Sequence, residues 1–202
     1  MKRNPAKEAI LKMIKKGVKD SSATPIKEYR VAVPPFCDFS SNSRRLFAEQ
    51  FSSQGGKYFF CHNETDLKDD LKSLFHYRQW EKVPVYGTKL FEYLSACPLS
   101  VVQGGTDSPK DLGCCQCRYL ISSTGGIVLT SNQEFGNSFD SIPKKLIVIA
   151  FSTQLVETTW DVYRAFPLQP VSHLLTITPS FHKDFGIDEL YVFLLKRSFP
   201  NT

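Results

Sequence analysis

Residues Gly113 to Ser131 read GCCQCRYLISSTGGIVLTS, and the way this stretch is organised decides the fold of the chain. Two apolar runs suited to extended strands, CCQCRYLIS and IVLTS, flank the residues Thr124-Gly125-Gly126. A glycine pair between apolar runs favours a tight turn, because glycine adopts backbone angles that other residues avoid. The stretch therefore predicts a β-hairpin or a tight β-turn.

The three cysteines of this stretch, Cys114, Cys115 and Cys117, raise the question of a metal site. Structural zinc needs four ligands, usually as two spaced pairs, and iron–sulfur runs use a Cys-x-x-Cys-x-x-Cys spacing. Neither pattern is present. In an extended strand Cys115 and Cys117 share one face and Cys114 points to the other. We therefore expect buried thiols, no metal site and no cofactor bound by this chain.

Helices and strands alternate on the N-terminal side of this stretch. Apolar residues at helical spacing predict helices, and short aromatic or β-branched runs predict buried strands. The predicted helices cover residues 42–53, 64–75 and 88–96, with a further helix start at 108–113. The first has Leu46, Phe47 and Phe51 inward and is ended by Gly55-Gly56, and the second has Asn63 or Thr65 as its N-cap. Helix capping explains Asp107, Ser108 and Asp111 at the last. The predicted strands cover Lys57–Cys61, 83–87 and 99–104.

The C-terminal side continues the alternation. A buried strand is predicted over 144–151, a helix capped by Ser152 over 152–166, and strands over 172–179 and 189–197. Strands that alternate with helices indicate βαβ units, so the sequence predicts an α/β domain with a mostly parallel sheet over residues 42–197. Trp80 and Trp160 are expected to anchor the core or an interface.

The positive charge of the chain is concentrated at its N-terminus. The first 20 of the 202 residues carry seven Lys or Arg and two Asp or Glu, which accounts for the whole net charge of +5. Apolar residues between Ala6 and Val18 recur at helical spacing, so residues 1–20 predict a basic amphipathic helix, followed by a linker and entry segment over 21–41. We expect its apolar stripe to dock on the domain or on a partner, including a second copy of the chain; a membrane-surface or targeting role is the alternative.

Several classes of function are disfavoured by these patterns. A nucleic-acid binder would carry a basic face on the folded domain, and here the body has no net charge. No signal peptide and no run of about 18 apolar residues is present, so we expect no membrane span and a soluble, cytoplasmic protein with reduced thiols. No dinucleotide-binding fingerprint is present either.

The motifs CRYLISSTGGIVLTS, PKKLIVIAFSTQLV, ITPS and ELYVFLL occur in an order that resembles the LUD (lactate-utilisation) domain family, also designated DUF162. Within that family it resembles the small C-type, or YkgG-type, subunits. The resemblance implies a three-layer α/β sandwich with a Rossmann-like sheet, of the NagB/RpiA/CoA-transferase-like class. It also implies an accessory subunit in the oxidation of L-lactate to pyruvate, with the iron–sulfur clusters on partner oxidoreductase subunits.

The sequence departs from the family pattern at three motifs. Ser123 stands where the family has Glu, the segment TITPSFHKD lacks the family's glycine and Asp-Ile-Glu, and GIDEL lacks the family's histidine. These departures favour an alternative, a non-catalytic interaction module of the same fold. We expect no catalysis by the chain alone.

The glycine turn also suggests a binding site for a small anionic ligand, because backbone N–H groups at glycines approach anions closely. We expect this site at one end of the central sheet, with Ser122 as a supplementary hydroxyl; a plain hairpin turn is the alternative. The predicted ligand-binding residues are Ser123, Thr124, Gly125, Gly126, Thr130, Ser131 and Ser180. His182 beside Ser180 is the one pairing that suggests catalysis, since His62, His76 and His173 lie in unrelated contexts.

Overall fold

The computed structural model describes residues 41–105, 108, 110–130, 142–165, 174–180 and 182–196. The predicted N-terminal helix over 1–20 lies outside these residues, as does the predicted linker apart from its last residue. The helices are α1 (Ser41–Ser53), α2 (Glu64–Arg78), α3 (Thr88–Ser95) and α4 (Thr159–Ala165), with 3-10 turns at Ser152–Gln154 and His182–Phe185. The strands are β1 (Lys57–Cys61), β2 (Val83–Val85), β3 (Val101–Gln103), β4 (Leu112–Gln116), β5 (Tyr119–Ile121), β6 (Gly126–Thr130), β7 (Lys145–Phe151), β8 (Leu155–Val156), β9 (Leu174–Ile177) and β10 (Glu189–Leu195).

A six-stranded, all-parallel sheet forms the centre of the domain, in the order β1-β10-β7-β4-β2-β3. The two strands β7 and β10 pair over their full length, from Glu189 opposite Lys145 to Leu195 opposite Phe151. Both are almost continuously apolar and buried, as expected for strands covered on both faces. Helices flank this sheet, which confirms the predicted α/β sandwich with a parallel sheet.

Alternating side chains of the parallel sheet form two separate cores. One face, with Ile147, Ile149 and Phe193, packs against apolar residues of α2 and α3. The other face, with Val148 and Val192, packs against α1 and against a second, smaller sheet. The side chains that cover this second face include Phe47, Phe51, Leu120, Ile127 and Ile177.

The second sheet has four strands in the order β8-β5-β6-β9. Strands β5 and β6 pair antiparallel with Tyr119 opposite Val128, so the predicted hairpin is confirmed. The first arm of the hairpin, however, is shorter than expected. The cysteine run forms β4 of the parallel sheet, and the chain then crosses to the second sheet between Gln116 and Tyr119. The sequence alone did not predict this second sheet.

A second crossing between the sheets follows β7 and corrects another prediction. The predicted helix over 152–166 is wrong in its first half, because Leu155 and Val156 form β8, which pairs parallel with β5. Gln154 joins the two crossings: its Oε1 accepts a hydrogen bond from Phe151 N (2.8 Å) and its Nε2 donates one to Cys117 O (2.7 Å). Helix α4 begins only at Thr159.

Other local predictions divide between confirmation and correction. Asn63 caps α2 by accepting a hydrogen bond from Asp66 N, and Trp80 packs edge-on against Tyr191, as expected for a core anchor. Trp160, in contrast, is 74% exposed and is not a core residue. Leu46 is also exposed, whereas Phe47 and Phe51 are buried as predicted.

The predicted helix start at 108–113 is wrong, because the chain enters β4 at Leu112. Ser108 Oγ instead accepts a hydrogen bond from Gly105 N (2.9 Å), and Asp111 pairs with Lys144 (3.6 Å). Asp107 lies outside the described residues.

Candidate functional site

The glycine turn lies at one end of the second sheet, where it joins β5 to β6. Its expected position at an end of the central parallel sheet is therefore wrong. Strand β9 pairs antiparallel with β6, with Ile177 opposite Ile127, so the residues after Ile177 leave the sheet at the same end as the turn. Ser180 therefore follows β9 at the end of the sheet that carries Ser123 and Thr124.

Gly125 packs directly against the backbone of α1. A Cβ placed on Gly125 would lie 2.8 Å from Phe51 N and 2.9 Å from Phe51 Cα, and its φ of +66° is one that other residues rarely adopt. Gln54 holds the two elements together, because its Nε2 donates to both Gln50 O and Thr124 O at 3.0 Å. Close packing on the helix explains this glycine without a ligand.

The amides at the start of the turn are also engaged within the protein. Ser122 N donates to Val156 O (2.8 Å), and Ser123 N donates to Glu157 O (3.0 Å). These two N–H groups are therefore not free for an anion. The side chains of Ser123 and Thr124 are exposed, whereas Ser122 is fully buried and its Oγ has no hydrogen-bond partner among the described residues.

Thr130 does not join this cluster. It lies at the opposite end of β6, opposite Leu174, about 13 Å from Gly126 at the rise of an extended strand. Its inclusion in the predicted site is therefore wrong for a ligand that contacts the turn. Ser131 lies outside the described residues.

The pairing of His182 with Ser180 is not found. His182 is buried, and its Nδ1 contacts Pro179 O while its Nε2 lies 3.3 Å from Asp188 O. Ser180 Oγ is hydrogen-bonded to Thr178 Oγ1 (3.0 Å). Because both ring nitrogens face backbone carbonyl groups, His182 holds the connection between β9 and β10 rather than activating Ser180.

The fold explains the positions of His62 and of the described cysteines without a catalytic role. His62 follows β1 and lies edge-on to Phe60 (4.8 Å), as expected for a strand-end residue, and His76 is exposed on α2. His173 lies outside the described residues. All five described cysteines are buried and free of disulfides.

The three clustered thiols divide between the two cores. Cys114 faces the core on the α2–α3 side, whereas Cys115 and Cys117 face the core shared with the second sheet, as the alternation predicted. Burial raises the pKa of all three thiols well above the usual range, so they are poor nucleophiles and poor metal ligands. Across the described ranges, no group of three or more His, Cys, Asp or Glu is arranged to hold a metal ion.

The carboxyl ends of the parallel strands contain a feature that the sequence analysis missed. Strand β3 lies on one side of β2, at an edge of the sheet. The later strands β4, β7 and β10 are added in turn on the other side of β2, so the strand order reverses there. Ligands in open α/β sheets bind at such a reversal of strand order. Gly87 and Gly105 follow β2 and β3 there, and a Cβ on either glycine would meet no atom within 4 Å. The short motifs VYGT and QGGT are the signal that could have located this edge.

The amino ends of the strands carry the main ionic network, which the sequence did not reveal because its members lie far apart along the chain. Glu189, the first residue of β10, contacts both Lys57 Nζ and Arg78 Nη2 and accepts a hydrogen bond from Tyr191 Oη (2.6 Å). Burial alone would raise the pKa of Glu189. Hydrogen bonds from Lys57 and Tyr191 and the charges of Lys57 and Arg78 outweigh it and lower the pKa to about 2.

None of the helices in the described part of the chain has the length and apolar character needed to cross a membrane. No protein-family model and no curated protein matches the sequence. Among solved structures, the crystal structure of a DUF162 family protein from Deinococcus radiodurans is similar, with a TM-score of 0.57 at 15% sequence identity. The match covers 76% of this chain and 96% of that chain. The chain therefore has the fold of that DUF162 family protein.

Proposed function

We propose that this chain is an accessory subunit of a lactate-utilisation system. In this role it supports the oxidation of L-lactate to pyruvate by iron–sulfur partner proteins and does not catalyse the reaction alone. Two features support the proposal: the sequence motifs resemble those of the LUD family, and the fold is that of a DUF162 family protein.

The observation that carries the proposal is the agreement between fold and motif order. The similar DUF162 protein is covered over 96% of its length, so the likeness extends across that whole domain. The four motifs that resemble the LUD family fall on β5 and β6, on β7 to β8, after β9, and on β10. These elements include the two sheet crossings, which are the most distinctive part of this topology.

The local contacts support an accessory role rather than independent catalysis. Cys114, Cys115 and Cys117 are core side chains on two faces of a strand, so their donor set does not suit an iron–sulfur cluster. The ring of His182 is engaged by two carbonyl groups. The clusters that lactate oxidation requires are accordingly assigned to the partner proteins.

The proposal includes a small anionic ligand, with fewer contact residues than the sequence predicted. Ser123, Thr124 and Ser180 have exposed side chains at one end of the second sheet and remain its proposed contacts. Gly125 and Gly126 are assigned to packing, since a Cβ on Gly126 would approach Thr124 Oγ1 to 3.0 Å.

Reconstitution with the iron–sulfur proteins of the same host tests the function. Lactate-dependent reduction of an artificial electron acceptor is measured with this chain alone, with the partners alone and with the full set. We expect no turnover by the chain alone and higher turnover by the full set than by the partners alone. Co-purification from the host should recover the same iron–sulfur proteins.

Two results would contradict this function. Turnover of lactate by the isolated chain would show an independent enzyme. Equal turnover with and without the chain, together with no co-purifying iron–sulfur protein, would favour an interaction module that serves another system. A triple variant of Ser123, Thr124 and Ser180 to Ala separates ligand binding from assembly, because it should change turnover without changing co-purification.

A further inference from the structure

A groove of about 650 Å³ opens at the amino edge of the parallel sheet, away from the edge where such sheets usually bind ligands. One wall is the C-terminal part of α2 with the residues that follow it, from Lys72 to Glu81, and the other is the segment Pro98–Ser100 that precedes β3. Its volume falls within the range of small-molecule sites. We call this space the amino-edge groove.

The apolar part of the amino-edge groove is built from aromatic rings in contact with one another. Trp80 lines it and lies between two other rings, 6.2 Å from the centroid of Phe75 and 5.9 Å from that of Tyr191. The guanidinium of Arg78 lies 5.6 Å from the centroid of Trp80. With Leu99 and Pro98 opposite, the groove offers a pre-formed aromatic surface to an apolar group.

The polar part of the groove combines one cation with neutral groups that can donate hydrogen bonds. Lys72 and His76 lie four residues apart on α2 and therefore share one face of the helix. Gln79 and Ser100 add an amide and a hydroxyl, and Glu81 is the single carboxylate of the lining. Within the described residues, the side chains of Lys72, Gln79 and Ser100 have no hydrogen-bond or ion-pair partner, so these groups are open to a ligand.

Gln79 adds an independent observation. It ends α2 with a φ of +56° and is the one residue other than glycine with a positive φ in the described part of the chain. Glycine is favoured at this position of a helix end, so a glutamine here carries a conformational cost. Its backbone N–H caps His76 O (3.1 Å), a bond that glycine would make equally well, so the cap does not explain the side chain.

From these features we propose that the amino-edge groove binds an amphipathic organic carboxylate, with its apolar part against Trp80. Lys72 and the amide of Gln79 hold the carboxylate group. The proposal concerns a different edge of the molecule from the lactate-utilisation role and does not depend on it.

The test titrates the protein with 4-phenylbutyrate as the probe and with the neutral 4-phenyl-1-butanol as the control ligand. Binding is detected by NMR of the tryptophan indole N–H groups. The chain has two tryptophans, so Trp160→Phe, at an exposed residue, assigns the signal of Trp80. We expect the Trp80 signal to shift saturably with the carboxylate and less with the alcohol. Lys72→Gln should weaken binding of the carboxylate by about two- to fivefold, the range of an exposed ion pair, and leave the alcohol unaffected.

Two further variants complete the test. Gln79→Gly should raise the thermal stability of the protein and weaken binding of the carboxylate, a combination that damage to the fold would not produce. Lys89→Gln, at an exposed lysine of α3, is the matched control and should bind as the wild type. The proposal is wrong if the Trp80 signal does not move, if the alcohol binds as well as the carboxylate, or if the two lysine variants behave alike.

Discussion

A glycine at residue 125 lets helix α1 approach the β5–β6 turn until backbone meets backbone. The distance of 2.8 Å from a Cβ on Gly125 to Phe51 N leaves no room for any side chain. The contact brings α1 onto the second sheet, next to the core that contains Phe47 and Phe51. One residue without a side chain therefore fixes how two elements of this core meet.

Replacing Gly125 by Ala should lower the free energy of unfolding by about 1–3 kcal/mol, because the left-handed backbone and the contact with Phe51 both oppose a methyl group. Urea unfolding measures the change. Gly105→Ala is the matched control, since a Cβ there meets nothing within 4 Å, and it should change stability by less than about 0.5 kcal/mol. Equal stability of the two variants would contradict the packing role of Gly125.

The glycine turn also shows what single residues predict. Thr124-Gly125-Gly126 predicted a turn correctly, because the requirement for glycine is local. Whether the turn is open to a ligand depends on Gln54, whose bond to Thr124 O spans 70 residues of chain. The anion site was predicted from the residues of the turn alone. Nothing in those residues indicates that helix α1, distant in sequence, fills the space beside Gly125.

At the scale of elements, the network around Glu189 ties β10 to β1 and to the end of α2. Lys57 begins β1 and Arg78 ends α2, so one carboxylate joins three elements at the amino edge of the sheet. The exposed fraction of the Glu189 side chain is 21%, which shields the network in part from solvent and salt.

Glu189→Gln should destabilise the protein most above pH 4.5 and progressively less as the pH falls towards 2. The pKa of Glu189 is lowered from 4.5 to about 2 on folding, so its contribution is present above the unfolded value and is lost as the folded group becomes protonated. Urea unfolding of both proteins across this range measures the difference.

The control for this pH dependence is Glu49→Gln, which removes the exposed Arg45–Glu49 pair of α1 and should cost little stability. A constant difference between wild type and Glu189→Gln from pH 5 to pH 2 would contradict the role of the network.

Elements were predictable where their signal is local. Asn63 as a cap of α2 and the opposite faces of Cys114 and Cys115 follow from short-range pattern. Strand β8 was hidden because Leu155 and Val156 fit a helical stripe equally well, and their pairing with Leu120 and Ile121 determines their conformation. Trp160 was predicted to anchor the core or an interface from its size alone, and the structure excludes the core because its side chain is 74% exposed.

At the scale of the whole molecule, the parallel sheet followed from the alternation of helices and strands, since parallel neighbours need a crossover between them. The division into two sheets did not follow, because both crossings occur inside runs that look continuous in sequence. Two residues, Cys117 and Arg118, separate β4 from β5, and three residues, Ser152–Gln154, separate β7 from β8. Gaps this short do not mark a boundary by composition.

Deleting residues 1–20 should leave the α/β domain folded and weaken self-association or partner binding. The predicted amphipathic stripe between Ala6 and Val18 must bury its apolar side, and the residues KDSSATP (Lys19–Pro25) that follow it are typical of a linker. Thermal unfolding tests the first part, and sedimentation velocity with co-purification tests the second. Immediate unfolding or aggregation of the truncated protein would assign the helix to the core instead.

The side chain of Gln154 has a consequence for how the domain opens. Strands β4 and β7 are neighbours in the parallel sheet, their continuations β5 and β8 are neighbours in the second sheet, and Gln154 bonds one crossing to the other. Loosening the second sheet therefore pulls on two adjacent central strands at once. We therefore expect the two sheets to open as one cooperative unit, so that their backbone amides exchange with solvent through one shared opening reaction rather than two independent ones.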